Sequence, residues 1–457
     1  DVVAPSVELL VPASTAGPDE LARTLAVAVG TGAVAIRVLD TTHRGLMARE
    51  AARFGARYEV LDADGADGPA ALVELARRST RADVLGWIDA GDVPVPGFLD
   101  LARRLTDADG PRVAVVQSSV DLLNRDSLLH LVPDRDERAL ENDVAGPSLG
   151  RDGAAPWEGS GSLARVDALD AVGGLPVGGA PTHRAAMRLA RDGWDVVWSR
   201  PPTVRTVAPD TLDDYLHQAG ERSHADWLTL FGSDTPLRPG RLGTRRRLAQ
   251  LHASTAVLDG AVRITYLCVL VAVLLTGRLP VSAPLAVVTA AFLAQLLLRT
   301  AGSVALSRGT VGAGDATRQG LRLMGVHLTG ILRPPRRPAP GHGPTRFAVL
   351  GRLPLLTVAL LAVDVALVAR GLTFVWPDLL PAFSDAGRFL VMAAAVWAIV
   401  PMVDVLQVLA GRVQRRHDHR AGSDLVAEVD GQPCRTVDLT PHGVGLLLPG
   451  RLEGVHD

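Results

Sequence analysis

Two aspartates stand directly after short apolar runs that are typical of β-strands. Asp40 follows the run Ala35–Leu39, and Asp89 follows the run Val84–Ile88. Such runs alternate with helical patterns over residues 1–230, which predicts a mostly parallel sheet covered by helices. Ligands of these sheets bind beyond the carboxyl ends of the strands. The chemistry that this placement favours is therefore ligand binding by carboxylates at one edge of a sheet.

The elements that position these aspartates come from the first half of the chain. The predicted strands are Val7–Val11, Ala35–Leu39, Tyr58–Leu61, Val84–Ile88 and Val113–Val116, and the predicted helices include Pro69–Arg78 and Pro96–Leu105. This half is acidic, with 23 Arg against 35 Asp and Glu. An acidic surface repels phosphates, so nucleic acid is excluded as a partner.

The second half is basic and apolar, with 24 Arg against 14 Asp and Glu and no Lys in the whole chain. Four apolar stretches have the length of transmembrane helices, about 20 residues each: Ala256–Thr276, Leu279–Leu298, Leu353–Ala369 and Phe389–Ala410. Arginines concentrate before the first, between the second and third, and after the fourth. The positive-inside rule then predicts a multi-pass protein of the inner (plasma) membrane with both termini in the cytoplasm. An amphipathic helix over 315–332 is expected to lie at the cytoplasmic interface.

The segment Asp83–Leu99 reads DVLGWIDAGDVPVPGFL and resembles the Asp-x-Asp region of family 2 glycosyltransferases. Residues 159–174, 189–194 and 215–218 resemble later segments of that family, in the same order. The resemblance implies a GT-A-like α/β fold and a nucleotide-sugar donor. It also implies Mg²⁺ (or Mn²⁺), held by carboxylates against the donor diphosphate. Carried over by position, Asp40 and Asp89 bind the nucleotide sugar, and Asp89 and Asp92 bind the metal.

The sequence departs from the family pattern at chemically important positions. Gly91 stands where the family has its second metal carboxylate, and Asp92 is its expected substitute. The family's catalytic base falls at Thr182, which cannot act as a base, so the base is unknown. The neighbouring His183 titrates in the neutral range, but we interpret it as a surface histidine at the start of a helix. In the acceptor motif only part of the pattern remains, and the residues expected to bind the acceptor there are Gln218 and Arg222.

The order of elements after residue 230 resembles the bacterial cellulose synthase catalytic subunit. Residues 344–352 resemble its gating loop, with Phe347, Val349 and Arg352 as the matching positions. The C-terminal region resembles the PilZ signature, which implies binding of cyclic di-GMP as an allosteric activator. The residues expected to bind it are Arg415, Arg416, Arg420, Asp438, Thr440 and Gly443. Arginines suit this task because they pair with phosphates and stack on guanine.

Three regions are therefore expected: a cytoplasmic glycosyltransferase domain over 1–230, a membrane region with an α-helical transmembrane bundle over 231–411, and the start of a β-barrel PilZ domain over 412–457. The chain begins at Asp1 without Met and its PilZ region is short, which indicates a fragment.

The expected function is processive transfer of a hexose, glucose above all, from a UDP-sugar to a β-glucan such as cellulose, with an accessory synthase subunit as a further partner. The alternative is an inactive relative that acts as a cyclic di-GMP-responsive membrane scaffold. Reconstituted UDP-sugar turnover distinguishes the two.

Overall fold

The computed structural model describes most of the first 309 residues and part of the C-terminal region. The residues described are 5–62, 68–95, 97–106, 112–123, 138, 140–208, 212–238, 242–262, 264–265, 268, 284–309, 323, 325–327, 330–331, 362, 365–366, 421–422, 426–429, 432–440 and 443–447. The first part is an α/β fold around one large sheet. The predicted α/β class with a mostly parallel sheet is confirmed.

The large sheet has eight strands in the order β3-β2-β1-β4-β7-β6-β8-β5. Its strands are β1 Val7–Pro12, β2 Ala35–Asp40, β3 Arg57–Val60, β4 Val84–Trp87, β5 Val93–Pro94, β6 Val113–Leu122, β7 Ser162–Arg165 and β8 Asp195–Thr206. The pairs β2–β3, β1–β2, β1–β4 and β6–β8 are parallel. Strand β7 runs antiparallel to β4 and β6, and β5 runs antiparallel to β8.

Helices cover both faces of this sheet, and further helices follow it along the chain. They are α1 Pro18–Ala28, α2 Gly45–Arg53, α3 Pro69–Arg77, α4 Arg103–Thr106, α5 Gly146–Gly150, α6 Val166–Ala171, α7 Pro181–Asp192, α8 Leu212–Phe231, α9 Thr244–Ser254 and α10 Leu285–Ser307. Short 3₁₀ turns cover Leu99–Ala102 and Thr255–Leu258, and a π-helical turn covers Leu140–Ala145.

The core is divided by the sheet into two apolar layers. Leu9 packs in the layer that contains Leu21 of α1 and Met47 of α2. Its neighbour Leu10 packs in the opposite layer with Leu72 of α3. Successive side chains of a strand point to opposite faces, so a strand buried on both faces is apolar throughout. This explains why the strands appear in the sequence as continuous apolar runs.

The predicted elements differ from the structure mainly at their ends. Each of the five predicted strands exists, and the fifth continues to Leu122, six residues beyond its predicted end at Val116. The predicted helix Pro96–Leu105 is instead a 3₁₀ turn over Leu99–Ala102 followed by the single turn α4. Gly97 has a φ of 93°, which lies outside the helical region, so a helix cannot run from Pro96.

The predicted membrane region is described only in part. The third stretch, Leu353–Ala369, and the fourth, Phe389–Ala410, lie almost entirely outside the described residues, and so does most of 315–332. The second stretch, Leu279–Leu298, overlaps α10. In the part of the chain that the structure describes, no helix combines the length and the hydropathy needed to cross a bilayer.

The C-terminal region contains a small antiparallel sheet. Its strands are β9 Ala421–Gly422, β10 Val426–Val429, β11 Gln432–Thr440 and β12 Gly443–Leu447. Strand β11 pairs with the other three. The PilZ assignment and the boundaries proposed for the three regions stay predictions.

Candidate active site

Asp40 ends β2 and is completely buried, with 0% of its surface exposed. Its Oδ2 accepts hydrogen bonds from Arg44 Nε at 2.7 Å and from the Tyr58 hydroxyl at 2.8 Å. Arg44 also donates to the backbone carbonyl of Ala16 at 2.7 Å. The residue predicted to contact the nucleotide therefore anchors an arginine that joins the loops after β1 and β2.

Asp89 and Asp92 form a tight turn after β4. The Asp92 N–H donates to the Asp89 carbonyl at 3.0 Å. Between them Gly91 has a φ of 107°, a conformation that side chains other than glycine rarely adopt. Thr24 of α1 holds the turn, because its Oγ1 accepts from the Gly91 N–H at 2.8 Å and donates to the Asp92 carbonyl at 2.7 Å. Thus the glycine that departs from the family pattern suits the turn that carries Asp92.

Ser160 connects this turn to the segment that precedes β7. Its hydroxyl accepts from the Asp89 N–H at 3.0 Å and donates to Asp92 Oδ2 at 2.5 Å. Its carbonyl accepts from Gln117 Nε2 at 2.9 Å, and Gln117 is completely buried in β6. Three elements distant in sequence therefore fix the two carboxylates in place.

The two carboxylates have perturbed protonation. Burial and the nearby charge of Asp92 raise the pKa of Asp89 to about 7. A 2.8 Å hydrogen bond from Trp87 Nε1 has the opposite effect, because it favours the ionised form. Burial also raises the pKa of Asp92, although hydrogen bonds from Ser160 and Thr206 favour its ionised form. The negative charges of two buried carboxylates repel each other. A cation beside them favours the ionised form of both.

This donor set fits a magnesium or manganese ion bound together with a diphosphate. Hard cations take oxygen ligands, and Mg²⁺ is commonly held by one or two carboxylates plus substrate phosphates. Within the described residues, no group of three or more His, Cys, Asp or Glu side chains is arranged to hold a metal ion. Asp89 and Asp92 would therefore share the ion with phosphate and water oxygens.

A second cluster of charges lies close to this turn. Arg222 of α8 contacts Glu141 Oε2 through Nη1 at 3.0 Å and Glu158 Oε1 through Nη2 at 3.6 Å. The Glu158 N–H donates to Gln117 Oε1 at 3.0 Å, and the other end of the same amide holds Ser160. The acceptor residue predicted at position 222 is therefore connected to the residues predicted to bind donor and metal through Glu158, Gln117 and Ser160. Gln218, one turn earlier on α8, is exposed.

The start of α7 carries no carboxylate in the predicted base position. The helix begins at Pro181, and Thr182 is buried with 8% exposed. His183 Nε2 lies 3.7 Å from Asp226 Oδ1, and the imidazole is 25% exposed. His183 lies at the start of α7 as predicted, but it is more covered than a surface residue because α8 packs against it. Burial and the charge of Arg222 lower the pKa of His183 to about 4, so the ring is neutral at pH 7.

Several predicted site residues cannot be placed by the described structure. The gating-loop positions Phe347, Val349 and Arg352 and the arginines Arg415, Arg416 and Arg420 lie outside the described residues. Asp438 and Thr440 belong to β11, and Gly443 begins β12, where its backbone pairs with that of Thr440. Their assignment to cyclic di-GMP stays a prediction.

Sequence reasoning missed three carboxylates of the second cluster: Glu141, Glu158 and Asp226. Glu158 directly precedes the segment Gly159–Arg165, which resembles the family. This position in the sequence could have indicated Glu158 as a site residue. Asp226 lies four residues after Arg222 on one helix, the spacing at which side chains meet. No local pattern distinguishes Glu141, because its partner Arg222 is 81 residues away in the chain.

Comparisons with known proteins agree with this geometry. Residues 86–298 match the family model described as glycosyl transferase family group 2. The structure of the mannosyltransferase PcManGT from Pyrobaculum calidifontis, in complex with GDP-Man and Mn²⁺, superimposes with a TM-score of 0.51 at 16% identity. That superposition covers 72% of this chain and 88% of the mannosyltransferase. The fold is therefore GT-A-like, and residues 86–298 are similar to the glycosyltransferase family 2 domain.

This domain has modest homology to bacterial cellulose synthases. It is 26% identical over 269 residues to the UDP-forming cellulose synthase catalytic subunit of Komagataeibacter sucrofermentans, covering 56% of this chain and 34% of that protein. It is also 26% identical over 258 residues to cellulose synthase 1 of Komagataeibacter xylinus, covering 54% and 16%. The chain thus spans about a third or less of the length of these curated relatives.

Proposed function

We propose that this chain transfers a hexose from a UDP-sugar to a polysaccharide acceptor, with a divalent cation at Asp89 and Asp92. The observation that carries the proposal is the pair of buried carboxylates on one turn at the carboxyl end of β4, fixed by Ser160. The UDP-forming relative and the mannosyltransferase solved with GDP-Man and Mn²⁺ support a nucleotide-sugar donor.

The residues of the site have separate tasks in this proposal. Asp89 and Asp92 would hold the cation, which neutralises the donor diphosphate and stabilises it as a leaving group. Asp40 and Arg44 shape the loops on the nucleotide side of the edge. Arg222 lies on the acceptor side, where Gln218 of the same helix is open to a sugar chain. The transferred sugar would sit between these two sides.

The test is release of UDP from UDP-glucose in the presence of Mg²⁺ or Mn²⁺, measured on the membrane-reconstituted full chain with cyclic di-GMP. Asp89→Asn and Asp92→Asn should each abolish turnover and weaken binding of Mn²⁺–UDP. The control is Asp100→Asn, because that carboxylate is 70% exposed and lies 4.0 Å from the exposed Arg103. Metal-dependent turnover that survives both substitutions would contradict the assignment.

A second candidate function is an inactive relative that serves as a membrane scaffold. The observation in its favour is the absence of a titratable side chain at Ala180, Pro181 and Thr182, where the family resemblance places the base. The same assay separates the two functions. Binding of UDP without turnover of any common UDP-sugar would support the scaffold.

The remaining parts of the proposal depend on the sequence resemblance. They are glucose as the sugar, a β-glucan as the product, insertion in the inner membrane through the four apolar stretches, and activation by cyclic di-GMP. Arg416→Ala and Arg420→Ala should abolish binding of cyclic di-GMP, measured by calorimetry. Binding that is unchanged in both variants would refute the regulatory site without affecting the transferase assignment.

A further inference from the structure

A pair of carboxylates meets one guanidinium beside the proposed donor site. Glu141 comes from the π-helical turn Leu140–Ala145, Glu158 from the loop before β7, and Arg222 from α8. Arg222 contacts both Glu side chains, at 3.0 Å and 3.6 Å, and each carboxylate is close enough to the other to change its pKa. Each carboxylate is only partly open to solvent, with 24% of Glu141 and 20% of Glu158 exposed. Such an arrangement holds one proton between two acids and keeps it reachable from the site.

This pair is connected to the metal-binding turn by a short chain of hydrogen bonds. The backbone of Glu158 is held by Gln117, Gln117 holds the carbonyl of Ser160, and the Ser160 hydroxyl holds Asp92. The charge of Arg138 acts on Asp92 and on both glutamates. The two carboxylate groups therefore belong to one continuous site rather than to separate surfaces.

The charges that face Glu141 leave one carboxylate in excess. Arg222 and Arg138 are cationic, Glu158 and Asp226 are acidic, and His183 is neutral because its pKa is about 4. Burial and Glu158 raise the pKa of Glu141 to about 7, although Arg222 opposes this. Burial disfavours ionisation of Glu158 too, but Arg222 and the hydrogen bond from Glu141 lower its pKa to about 2. Burial also raises the pKa of Asp226 to about 7.

We propose that Glu141, paired with Glu158 and oriented by Arg222, is the general base that removes the proton from the acceptor hydroxyl. This inference rests on the proposed transferase function and supplies the base that Thr182 cannot provide. As the acceptor oxygen forms its bond to the anomeric carbon, the bond from that carbon to the diphosphate oxygen breaks. The diphosphate leaves with the electron pair, and the hydroxyl proton moves to the Glu141 carboxylate. Two acids with separated proton affinities are a recurrent arrangement for this task.

The first test compares Glu141→Gln and Glu158→Gln with the unmodified full chain. A lost general base lowers kcat by about 10²–10⁴-fold, so Glu141→Gln should reduce UDP release in this range while the affinity for Mn²⁺–UDP changes less than about twofold. In the unmodified chain kcat should rise with pH through about 7, since the base must be deprotonated. Glu158→Gln should shift the pH at which kcat rises. In Glu141→Gln the remaining rate should no longer rise with pH in this range. Asp143→Asn, in the same turn, is the matched control and should leave both rate and pH profile unchanged.

A second measurement needs neither donor nor metal. Infrared difference spectra between pH 6 and pH 8 should show the loss of protonated carboxyl bands, to which Asp89 and Asp226 also contribute, and the part of this change that comes from Glu141 should be missing in Glu141→Gln but present in Asp143→Asn. If the unmodified chain is active and the Glu141→Gln variant keeps the same rate and pH profile, the assignment of Glu141 as the base is refuted, but the proposed transferase function is not. A chain that binds Mn²⁺–UDP but never releases UDP refutes the proposed function as well. Thermal unfolding of each variant distinguishes either result from a failure to fold.

Discussion

The hydroxyl of Ser160 donates a hydrogen bond to Asp92 over a distance of 2.5 Å. Hydrogen bonds from a hydroxyl to a carboxylate are short and about twice as strong as neutral ones. The same hydroxyl accepts from the backbone N–H of Asp89 at 3.0 Å. One serine from the segment before β7 thus holds the carboxylate of Asp92 and the backbone of Asp89, and it joins the donor side of the site to the acceptor side.

Removing this hydroxyl should loosen the turn. Ser160→Ala deletes a bond to a charged group and leaves the Asp89 N–H without its partner, so we expect a loss of about 1–3 kcal/mol in the free energy of unfolding. The affinity for Mn²⁺–UDP should fall as well. Ser233→Ala is the control, because Ser233 is exposed and its contact with Asp234 is 3.5 Å long. Urea unfolding and calorimetry measure the two effects, and equal stability of both variants would contradict this role.

Asp40 is completely buried whereas Arg44 is 31% exposed, and this pair gives a second prediction. Asp40→Asn removes the charge that binds Arg44 at 2.7 Å, and we expect a loss of about 2 kcal/mol in the free energy of unfolding because a hydrogen bond to a charged group is weakened. Tyr58→Phe removes only one neutral donor from the same carboxylate and should cost about 1 kcal/mol. If Asp40 also contacts the nucleotide, Asp40→Asn should weaken UDP binding and Tyr58→Phe should not. Chemical denaturation and UDP titration of both variants check this, and equal UDP affinities would limit Asp40 to a structural role.

Glu74 of α3 is bound by two arginines of unequal burial, which provides an internal control. Arg77 is buried and donates to Glu74 through Nε and Nη2, both at 2.8 Å. Arg78 reaches the same carboxylate at 3.1 Å but is 62% exposed. Arg77→Ala should therefore destabilise the protein by about 3–5 kcal/mol, and Arg78→Ala by less than about 1 kcal/mol. Equal losses of stability in urea unfolding would show that burial does not account for the difference between the Glu74–Arg77 and Glu74–Arg78 pairs.

The same carboxylate predicts how stability changes in acid. Burial opposes the ionisation of Glu74, but hydrogen bonds from Arg77 and the Leu175 N–H outweigh it and lower the pKa of Glu74 below its usual value of 4.5. A lowered pKa in the folded state stabilises the protein above the pKa of the unfolded chain, and this contribution disappears as the pH falls through the folded value. The free energy of unfolding should therefore decline below about pH 4.5. The free energy of unfolding of Glu74→Gln should decline less over that range. Parallel curves of stability against pH for the two proteins would contradict the contribution assigned to Glu74.

Much of the fold follows from local sequence patterns. The run Val84–Ile88 is apolar throughout, and Val7–Val11 is apolar except for Glu8, because β4 and β1 are buried on both faces; this predicts inner strands of an α/β sheet. The positions of Asp40 and Asp89 at the ends of two such strands place them at one edge, where the structure has them. The antiparallel insertion of β7 between β4 and β6 could not be predicted, because its four residues carry no signal of strand direction.

By itself, then, the sequence determined the order of strands and helices, the carboxylates at the strand ends and the resemblance of residues 83–99 to a glycosyltransferase motif. Only the tertiary structure decided which charges meet. Ser160 and Asp92 are 68 residues apart, and Arg222 and Glu141 are 81 residues apart. The physical reason is that strand and helix patterns arise from neighbours a few residues away, whereas the proton affinity of a carboxylate depends on burial and on charges brought within a few ångströms by folding.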